Sequence, residues 1–340
     1  MAVLVLLLRP PGGPAVPTNP PNVGSTLSPS LPALGSIAPS SAAVATQHVP
    51  ATPGATTEPQ ATPGSEPTPK PTPPPPTVVL VGAGDIADCN SNLDTQTAAL
   101  VDGIAGTVFT LGDNAYEDGT RAEFDNCYHP TWGRFKDRTR PAPGNHEYHS
   151  PGAAGYFSYF GDRAGPAGRG YYAYTRGAWR IYSLNSECGE IGGCGAGSAQ
   201  LRWLRNDIAA HPNQCSLAYW HHPRYSSGEH GSQAFMDPIW DALYGAGAEL
   251  VLAGHDHSYE RFAPVDNSGN REPGRGIVSF VVGTGGREFY QFDDILPTSR
   301  AHAANVAGVL RLTLTPDGWT SRFIALPGDT YTDEAQGSCH

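Results

Sequence analysis

The stretch Ala253-Gly254-His255-Asp256-His257 places two histidines at alternate positions directly after the apolar run 248–252. We expect this run to be a β-strand that delivers both imidazoles to the loop at its carboxyl end. Open α/β sheets bind their ligands at that edge. A histidine pair alone is more often structural than ligating, so its interpretation depends on what stands at the ends of the other predicted strands.

The rest of the folded part alternates strand-like apolar runs with helical patterns. The predicted strands are 77–82, 107–111, a short segment reaching 143–147, a two-stranded region over 171–185, 217–220, 249–252, 277–282, 308–315 and 319–326. The predicted helices are 93–104, 199–210 and 235–244. This pattern predicts an α/β fold in which sheet layers are flanked by helices and polar residues stand at the strand ends.

Five of these strand exits carry a residue that can bind a metal ion. A single Gly-Asp pair is a common turn and by itself indicates little. Five exits together are not explained as turns, because they supply two mixed oxygen and nitrogen coordination spheres. Such spheres suit a pair of ions in the Fe, Mn or Zn range rather than Ca or Mg. The residues are Asp85, Asp113, Asn145, His221 and the pair His255 and His257.

Residues 1–76 differ in composition from the rest of the chain. They contain 20 of the 33 prolines and no Phe, Trp or Tyr, and Ala-Thr-Pro-Gly recurs at 51–54 and 61–64. Such a segment buries too little apolar surface to offset its ordering entropy, which indicates a disordered, Pro/Thr-rich spacer. We therefore expect one folded domain over 77–340.

The first nine residues, Met1 to Arg9, are typical of the end of a secretory hydrophobic segment. They lack a basic region before them and are too short to span a bilayer. This pattern, followed by a Pro/Thr-rich spacer, predicts a protein that is secreted or on the cell surface, either free or tethered through its N-terminal segment. A disordered cytoplasmic tail is the alternative.

The six cysteines all lie in the folded part, and none belongs to a C-x-x-C pair. An even number of cysteines after an export-like leader favours disulfides over a zinc ribbon. Cys188 and Cys194 flank a Gly-rich loop and are the first predicted pair. Cys89 with Cys127 and Cys215 with Cys339 would follow by elimination, although the sequence leaves the connectivity open.

The formal net charge of the chain is −11, and residues 1–76 contribute nothing to it. An acidic domain without a basic patch excludes a broad nucleic-acid footprint. A phosphate-binding role would need another source of positive charge, and bound metal ions can supply it.

The chain resembles the calcineurin-like metallophosphoesterase superfamily, and within it the purple acid phosphatases. The match covers nearly all of 77–326 and keeps the order of the motifs. The resemblance implies a four-layer αββα double β-sandwich with a two-metal site at one edge. The motifs are Gly84-Asp85, Gly112-Asp113-Asn114-Ala115-Tyr116, Gly144-Asn145-His146-Glu147, His221-His222-Pro223 and Gly254-His255-Asp256-His257.

One position separates the subfamilies. Most metallophosphoesterases carry Asp-x-His at the first motif, but here the third position is Ala87. The resemblance implies that Tyr116 replaces the missing ligand, as in purple acid phosphatases. A phenolate is a hard anionic donor, so the first metal is expected to be Fe(III), with Fe(II), Zn or Mn at the second site.

The resemblance also implies which residues hold each ion. Asp113 would bridge the two metals, and His221 is preferred to His222 because the family reads His-x-Pro-x-Tyr. His222 should point to the opposite face if the strand continues, and it is the fallback ligand. The first metal would be held by Asp85, Asp113, Tyr116 and His257, and the second by Asp113, Asn145, His221 and His255.

The function that the resemblance implies is hydrolysis of phosphate monoesters of small substrates by a metal-bound hydroxide. The expected catalytic residues are the bridging Asp113 and two histidines. His146 and His230 are the candidates to protonate the leaving group. Alternatively, His146 only orients a metal ligand, and His230 is a solvent-exposed loop residue without a catalytic role. Arg261 is expected to pair with Glu260.

Two other functions stay open. A phosphodiesterase acting on cyclic nucleotides or phospholipids would use the same metal pair, whereas a secreted binding module would carry a degenerate site. Every predicted ligand position is filled, which disfavours the second alternative. The sequence does not define the physiological substrate, the pH optimum or the oligomeric state.

Overall fold

The computed structural model describes residues 76–212 and 215–340, so the predicted leader and nearly all of the predicted spacer lie outside the described residues. The strands in these ranges are β1 (Val78–Ala83), β2 (Ala87–Asp88), β3 (Thr107–Leu111), β4 (Ala115–Tyr116), β5 (Thr139–Ala142), β6 (Tyr172–Arg176), β7 (Trp179–Ser183), β8 (Cys215–Tyr219), β9 (Leu250–Ala253), β10 (Tyr259–Phe262), β11 (Val278–Val282), β12 (Ser299–Ala303), β13 (Gly308–Thr315), β14 (Gly318–Ala325) and β15 (Thr332–Ser338).

The α-helices in the same ranges are α1 (Leu93–Asp102), α2 (Arg121–Glu123), α3 (Asn145–Tyr148), α4 (Ala154–Phe160), α5 (Ala199–Ala210) and α6 (Asp237–Gly245). Short 3₁₀ or π turns cover Phe124–Tyr128, Trp132–Arg138, Pro151–Ala153, Gly161–Ala164 and Ala234–Met236. The predicted helix 199–210 is confirmed, and it begins where the Ser198 side chain accepts a hydrogen bond from the Leu201 N–H. Helix α6 has a proline in its first turn. Proline is tolerated there because the first N–H groups of a helix have no partner within the helix.

Two mixed sheets carry the fold. The six-stranded sheet has the order β15-β14-β13-β1-β3-β5, and the seven-stranded sheet has the order β12-β10-β11-β9-β8-β7-β6. Strands β1, β3 and the edge strand β5 are parallel, as are the central strands β7, β8, β9 and β11 of the other sheet. Central parallel strands are buried on both faces, and β3 (Thr-Val-Phe-Thr-Leu) and β9 (Leu-Val-Leu-Ala) are buried throughout.

The main core lies between the two sheets. It joins side chains from β1 and β3 of the first sheet with side chains from β8, β9 and β11 of the second, for example Leu80, Phe109, Tyr219, Leu252 and Phe280. On the outer face of the seven-stranded sheet, α5 and α6 bury a second cluster through residues such as Leu204 and Trp240. Helix α1 packs Ala98 and Val101 against the six-stranded sheet. The predicted αββα double sandwich is confirmed.

All six cysteines are paired as predicted: Cys89 with Cys127, Cys188 with Cys194, and Cys215 with Cys339. The third bridge joins the start of β8 to the end of β15, and therefore links the two sheets. Among the described residues, no helix has the length and apolar character needed to cross a membrane.

Candidate metal centre

The predicted ligands lie at the carboxyl ends of parallel strands in both sheets. Asp85 follows β1, Asp113 follows β3 and Asn145 follows β5, while His221 follows β8 and the two histidines of the opening motif follow β9. Parallel strands end at the same edge of a sheet, so the sandwich brings these residues to one edge. The side chains of all seven predicted ligands meet there and form two groups.

The first group surrounds the hydroxyl of Tyr116. This oxygen lies 2.9 Å from Oδ1 of Asp85, 3.2 Å from Oδ2 of Asp113 and 3.3 Å from Nε2 of His257. Nε2 of His257 is also 3.4 Å from Oδ1 of Asp85. The four side chains are the ones predicted for the first metal, and each is buried.

The second group surrounds Nε2 of His221. This nitrogen lies 3.0 Å from Oδ1 of Asn145, 3.2 Å from Nδ1 of His255 and 3.2 Å from Oδ2 of Asp113. These are the four residues predicted for the second metal. One atom, Oδ2 of Asp113, therefore belongs to both groups.

The donor chemistry and the spacing fit two metal ions. Donors on neighbouring corners of an octahedron or tetrahedron with metal–ligand distances of ~2.1 Å are ~3.0–3.4 Å apart. The distances within both groups fall at or near this range. Ligand atoms of Asp85, Asp113 and His221 all lie within 4.8 Å of one another. Nitrogen and oxygen donors in this mixture suit first-row transition metals.

The backbone is strained at three of these residues. Asp85, Asp113 and His255 have positive φ angles of 60°, 48° and 73°. Non-glycine residues rarely adopt this conformation, and where it persists it clusters at functional sites. Gly144 leaves room for the ligands, because a Cβ there would lie 2.2 Å from Oδ1 of Asp113. The Gly in this motif therefore allows close packing around the Asp113 carboxylate.

Backbone carbonyls fix the ring orientation of two of the predicted ligand histidines. Nδ1 of His221 is 2.8 Å from the Leu111 carbonyl, and Nδ1 of His257 is 2.7 Å from the Glu288 carbonyl. A carbonyl oxygen only accepts, so each Nδ1 carries a proton, and each Nε2 is the atom that would bind a cation once it has lost its own proton. This arrangement is common for metal-binding histidines.

Burial and neighbouring charges shift the pKa values of Asp113, His221 and Tyr116. Burial would raise the pKa of Asp113, but the positive charge of His221 and its hydrogen bond lower it below the usual range. Burial lowers the pKa of His221, yet the charge of Asp113 overrides this and raises it to about 10. Burial and the carboxylates of Asp113 and Asp85 raise the pKa of Tyr116 well above its usual value. A bound cation would relieve this excess of negative charge.

Glu147 belongs to the quoted motif, but the sequence interpretation gave it no role. Its buried carboxylate accepts hydrogen bonds from the N–H groups of Asp113 (3.0 Å), Asn114 (2.7 Å) and Gly144 (2.7 Å). Burial and the charge of Asp113 raise its pKa above the usual value, while the hydrogen bonds from Gly144 and Asn114 oppose this shift. Glu147 therefore ties the loop after β3 to the loop after β5. The Asn-His-Glu spacing was the available signal.

Two candidate proton donors lie beside the ligand groups. His146 packs its ring against Tyr116, with centroids 4.4 Å apart, and its Nε2 is 3.9 Å from Oδ2 of Asp113. The exposed His230 stacks on His255 at 4.4 Å, and its backbone N–H donates to Asp256 at 2.8 Å. Both candidates are thus next to predicted ligands.

The condition for the expected orientation of His222, a strand that continues to this residue, is not met. Strand β8 ends at Tyr219, so the alternation of faces stops before His222. Its ring lies 4.1 Å from the ring of His255, and its Nδ1 is 2.9 Å from Glu187. His222 therefore packs behind the second ligand group and not on the far side of a strand.

The expected partner of Arg261 is wrong. Arg261 pairs with Asp333 of β15 at 2.6 Å, while Glu260 accepts hydrogen bonds from the N–H and hydroxyl of Ser227. Glu260 thus supports the loop that carries His230. The pairing with Asp333 joins residues more than seventy positions apart, which no local pattern indicates.

Arg287 is a second residue that sequence reasoning missed. Its guanidinium lies over the ring of Tyr116, 4.6 Å from the centroid, and is largely buried among carboxylates. The available signal was the polar, glycine-rich run 283–286 directly after the predicted strand 277–282.

Comparison with known proteins agrees with this geometry. The calcineurin-like phosphoesterase family model matches residues 70–259, which is more than half of the chain. The chain is 25% identical over 240 residues to purple acid phosphatase 15 of Arabidopsis thaliana, covering 60% of this chain and 44% of the relative. It is 28% identical over 221 residues to acid phosphatase type 7 of Homo sapiens, covering 55% and 49%.

A solved purple acid phosphatase from yellow lupin seeds has the same fold. Its TM-score is 0.60 at 19% identity, and the match covers 78% of this chain and 54% of that one. The chain thus spans about half the length of these relatives. From the family match and the five ordered motifs, we conclude that the chain belongs to the calcineurin-like phosphoesterase family and is similar to the purple acid phosphatases within it.

Proposed function

We propose that this protein hydrolyses phosphate monoesters at a dinuclear metal centre, with Asp113 as the bridging ligand. The observation that carries this proposal is the position of Oδ2 of Asp113, which lies 3.2 Å from the hydroxyl of Tyr116 and 3.2 Å from Nε2 of His221. One carboxylate oxygen at the junction of two ligand groups suits a pair of cations better than a single ion.

Each ion would have its own donor set. Asp85, Tyr116 and His257 would hold the first with Asp113, and the phenolate favours Fe(III) there. Asn145, His221 and His255 would hold the second with Asp113, which suits Fe(II), Zn or Mn. When bound, the two ions would activate water and neutralise charge on the phosphoryl group.

The protein's own residues would bind the substrate and move the proton. Nδ1 of His146 faces the carbonyl of Glu117, which only accepts, so His146 must be an imidazolium to donate from Nε2 toward the leaving oxygen. His230, on its exposed loop, could donate from the opposite side of the site. Histidine acid catalysis of this kind contributes about 10²–10⁴ in rate.

The charge balance supports a small phosphorylated substrate that binds through the metal ions. Arg287 is the arginine placed beside the ligand groups, and Asp88, Glu117 and Glu288 surround it. Its Nε, Nη1 and Nη2 groups are therefore already paired and are not free to bind a phosphate. The positive potential for a phosphate would come from the bound cations.

The proposal also includes the domain boundaries and the location of the protein. The domain over 77–340 would carry the activity, with 1–76 as an N-terminal leader and spacer. Three disulfides are consistent with an extracytoplasmic protein, because reducing compartments disfavour them. Export, with or without tethering, is part of the proposal.

Hydrolysis assays on the purified chain test the proposal. The protein should hydrolyse p-nitrophenyl phosphate faster than bis(p-nitrophenyl) phosphate. A chelator should abolish this activity, and restoring iron together with zinc or manganese should recover it. Faster diester cleavage would favour the phosphodiesterase instead. Less than one metal ion per chain, with no hydrolysis, would indicate a binding module.

A further inference from the structure

We propose that Arg287 is the positioning residue of the Tyr116 ligand group, and that it governs how firmly this group retains its metal ion. Its guanidinium holds the phenol ring from the outside, and its segment contacts two of the other ligands. This inference rests on the proposed function, because it concerns the metal that the group would bind.

The segment Arg287–Tyr290 lines the outer side of the first ligand group. The N–H of Arg287 donates to the carbonyl of Asp85 at 3.0 Å, and the N–H of Tyr290 donates to the carbonyl of His257 at 3.1 Å. The Glu288 carbonyl accepts from Nδ1 of His257 at 2.7 Å. The ring of Tyr290 stacks on His257 with centroids 4.0 Å apart and an interplanar angle of 12°. Three of these four consecutive residues, Arg287, Glu288 and Tyr290, therefore orient Asp85 and His257.

The side chain of Arg287 adds the third ligand, Tyr116. The guanidinium lies 4.6 Å from the centroid of the phenol ring, which is within the range of a cation–π contact. Desolvation strengthens such contacts, and Arg287 has a side-chain exposure of only 14%. Arg287 is thus packed against the ring whose hydroxyl stands at the centre of the first group.

Three carboxylates fix the guanidinium in this place. Asp88 accepts from Nη1 at 2.6 Å, Glu117 pairs with Nη2 at 2.7 Å, and Glu288 pairs with Nε. Asp88 stands beside Tyr116 in the β2–β4 ladder, and Glu117 follows Tyr116 in the chain. Arg287 therefore cross-links β2 to the residue that follows β4, the strand that contains the tyrosine. Without it, three carboxylates would face one another around the ring.

The turn before Arg287 is built for this approach. Strand β11 ends at Val282, and Gly283-Thr284-Gly285-Gly286 lead into the segment. A Cβ on Gly286 would lie 2.4 Å from the carbonyl oxygen of Ile86 and 2.6 Å from the nitrogen of Asp94. Only glycine lets this turn lie against the loop that carries Asp85. The position of Arg287 thus depends on close backbone packing.

Two consequences distinguish positioning from a merely structural role. Residues that orient metal ligands typically change metal affinity by about 10–100-fold when they are mutated. A positive charge over the ring also stabilises the electrons of a phenolate, so it raises the energy of charge transfer from that phenolate to iron. Removal of Arg287 should therefore speed metal loss and move the visible band to longer wavelength.

The test compares Arg287→Met with wild type and with Arg134→Met. Arg134 is a matched control, since it pairs with Asp102 at 2.6 Å and lies 5.1 Å from the ring of Phe135, outside the ligand groups. Each protein is purified with its native metals and exposed to a chelator. Metal per chain is followed by elemental analysis, and the visible spectrum is recorded in parallel. Arg287→Met should lose its first ion about 10–100-fold faster than either comparison protein.

Two milder variants keep the test decisive if Arg287→Met does not fold. Arg287→Lys retains the charge but not the planar fork, and Asp88→Asn weakens the hold on the guanidinium without touching the ring. Both should release metal faster than Arg134→Met but more slowly than Arg287→Met. If all variants that fold retain metal and colour as well as Arg134→Met, the positioning role is wrong and the proposed function stands. A wild type that binds less than one ion per chain overturns both.

Discussion

Oδ2 of Asp113 and Nε2 of His221 face each other across 3.2 Å in a fully buried setting, and the same oxygen is 3.2 Å from the hydroxyl of Tyr116. This contact joins the six-stranded sheet, which positions Asp113, to the seven-stranded sheet, which positions His221. The candidate metal centre therefore lies on the seam of the sandwich, and the position of the proposed bridging ligand depends on how the two sheets pack.

Replacement of Asp113 by alanine should remove metal from both sites, because one carboxylate serves two ions. We expect essentially complete loss of phosphatase activity and less than one ion per chain by elemental analysis. Asp118→Ala is the control, since Asp118 is an exposed residue of the neighbouring loop that pairs with His149. Loss of only one ion, with activity retained, would refute the bridging role.

Glu147→Gln should destabilise the fold even without metal. The carboxylate accepts hydrogen bonds on both oxygens from the loops after β3 and β5, and a glutamine amide would turn an N–H₂ group toward two of these donors. Each buried donor left unpaired costs about 1–3 kcal/mol. Chemical unfolding of the chelated protein measures the loss. Glu334→Gln, on an exposed pair, should change little, and equal stability of the two variants would contradict the role given to Glu147.

Metal uptake at neutral pH should release protons. The charge of Asp113 overrides the effect of burial and raises the pKa of His221 to about 10, so this histidine is protonated at pH 7 until a cation takes its Nε2. Tyr116 also has to lose its proton to bind as a phenolate. Metal affinity should accordingly fall as the pH falls. Titration of the chelated protein in weak buffer should register at least about one proton per chain, and fewer for Tyr116→Phe. Uptake without proton release would disprove this charge distribution.

The disulfides should hold the domain together in the absence of reductant. Free-thiol titration of the denatured, unreduced protein should find fewer than one thiol per chain. The Cys215–Cys339 bridge closes a separation of 124 residues, so its replacement by two serines should cost about 2–5 kcal/mol of stability. Several reactive thiols in the unreduced protein would argue against export.

The residues that meet at the candidate site could be predicted because they are local features of strand ends. The buried runs before Asp113 and His255 have strong hydrophobic patterns, and glycine precedes both residues. The motif order then indicated the family. The three disulfide pairs also followed the prediction.

The elements that were missed depend on tertiary contacts. Strands β12 and β15 lie at sheet edges, and β15 (Thr-Asp-Glu-Ala-Gln-Gly-Ser) is polar, so only its pairing with β14 makes it a strand. Glu147 and Arg287 act on loops that are distant in sequence, with partners such as the Asp113 N–H and the ring of Tyr116. No local periodicity encodes such contacts.

The central claim is a dinuclear site with Tyr116 as a phenolate ligand, and elemental analysis together with the visible spectrum of the native protein tests it most directly. The account predicts two ions per chain, one of them iron, and a broad visible band that gives a violet or pink colour. Tyr116→Phe should keep the fold, lose the colour and bind the first metal more weakly. A colourless, fully active wild type with two Zn or Mn ions and no iron would contradict the phenolate site and leave only the phosphoesterase assignment.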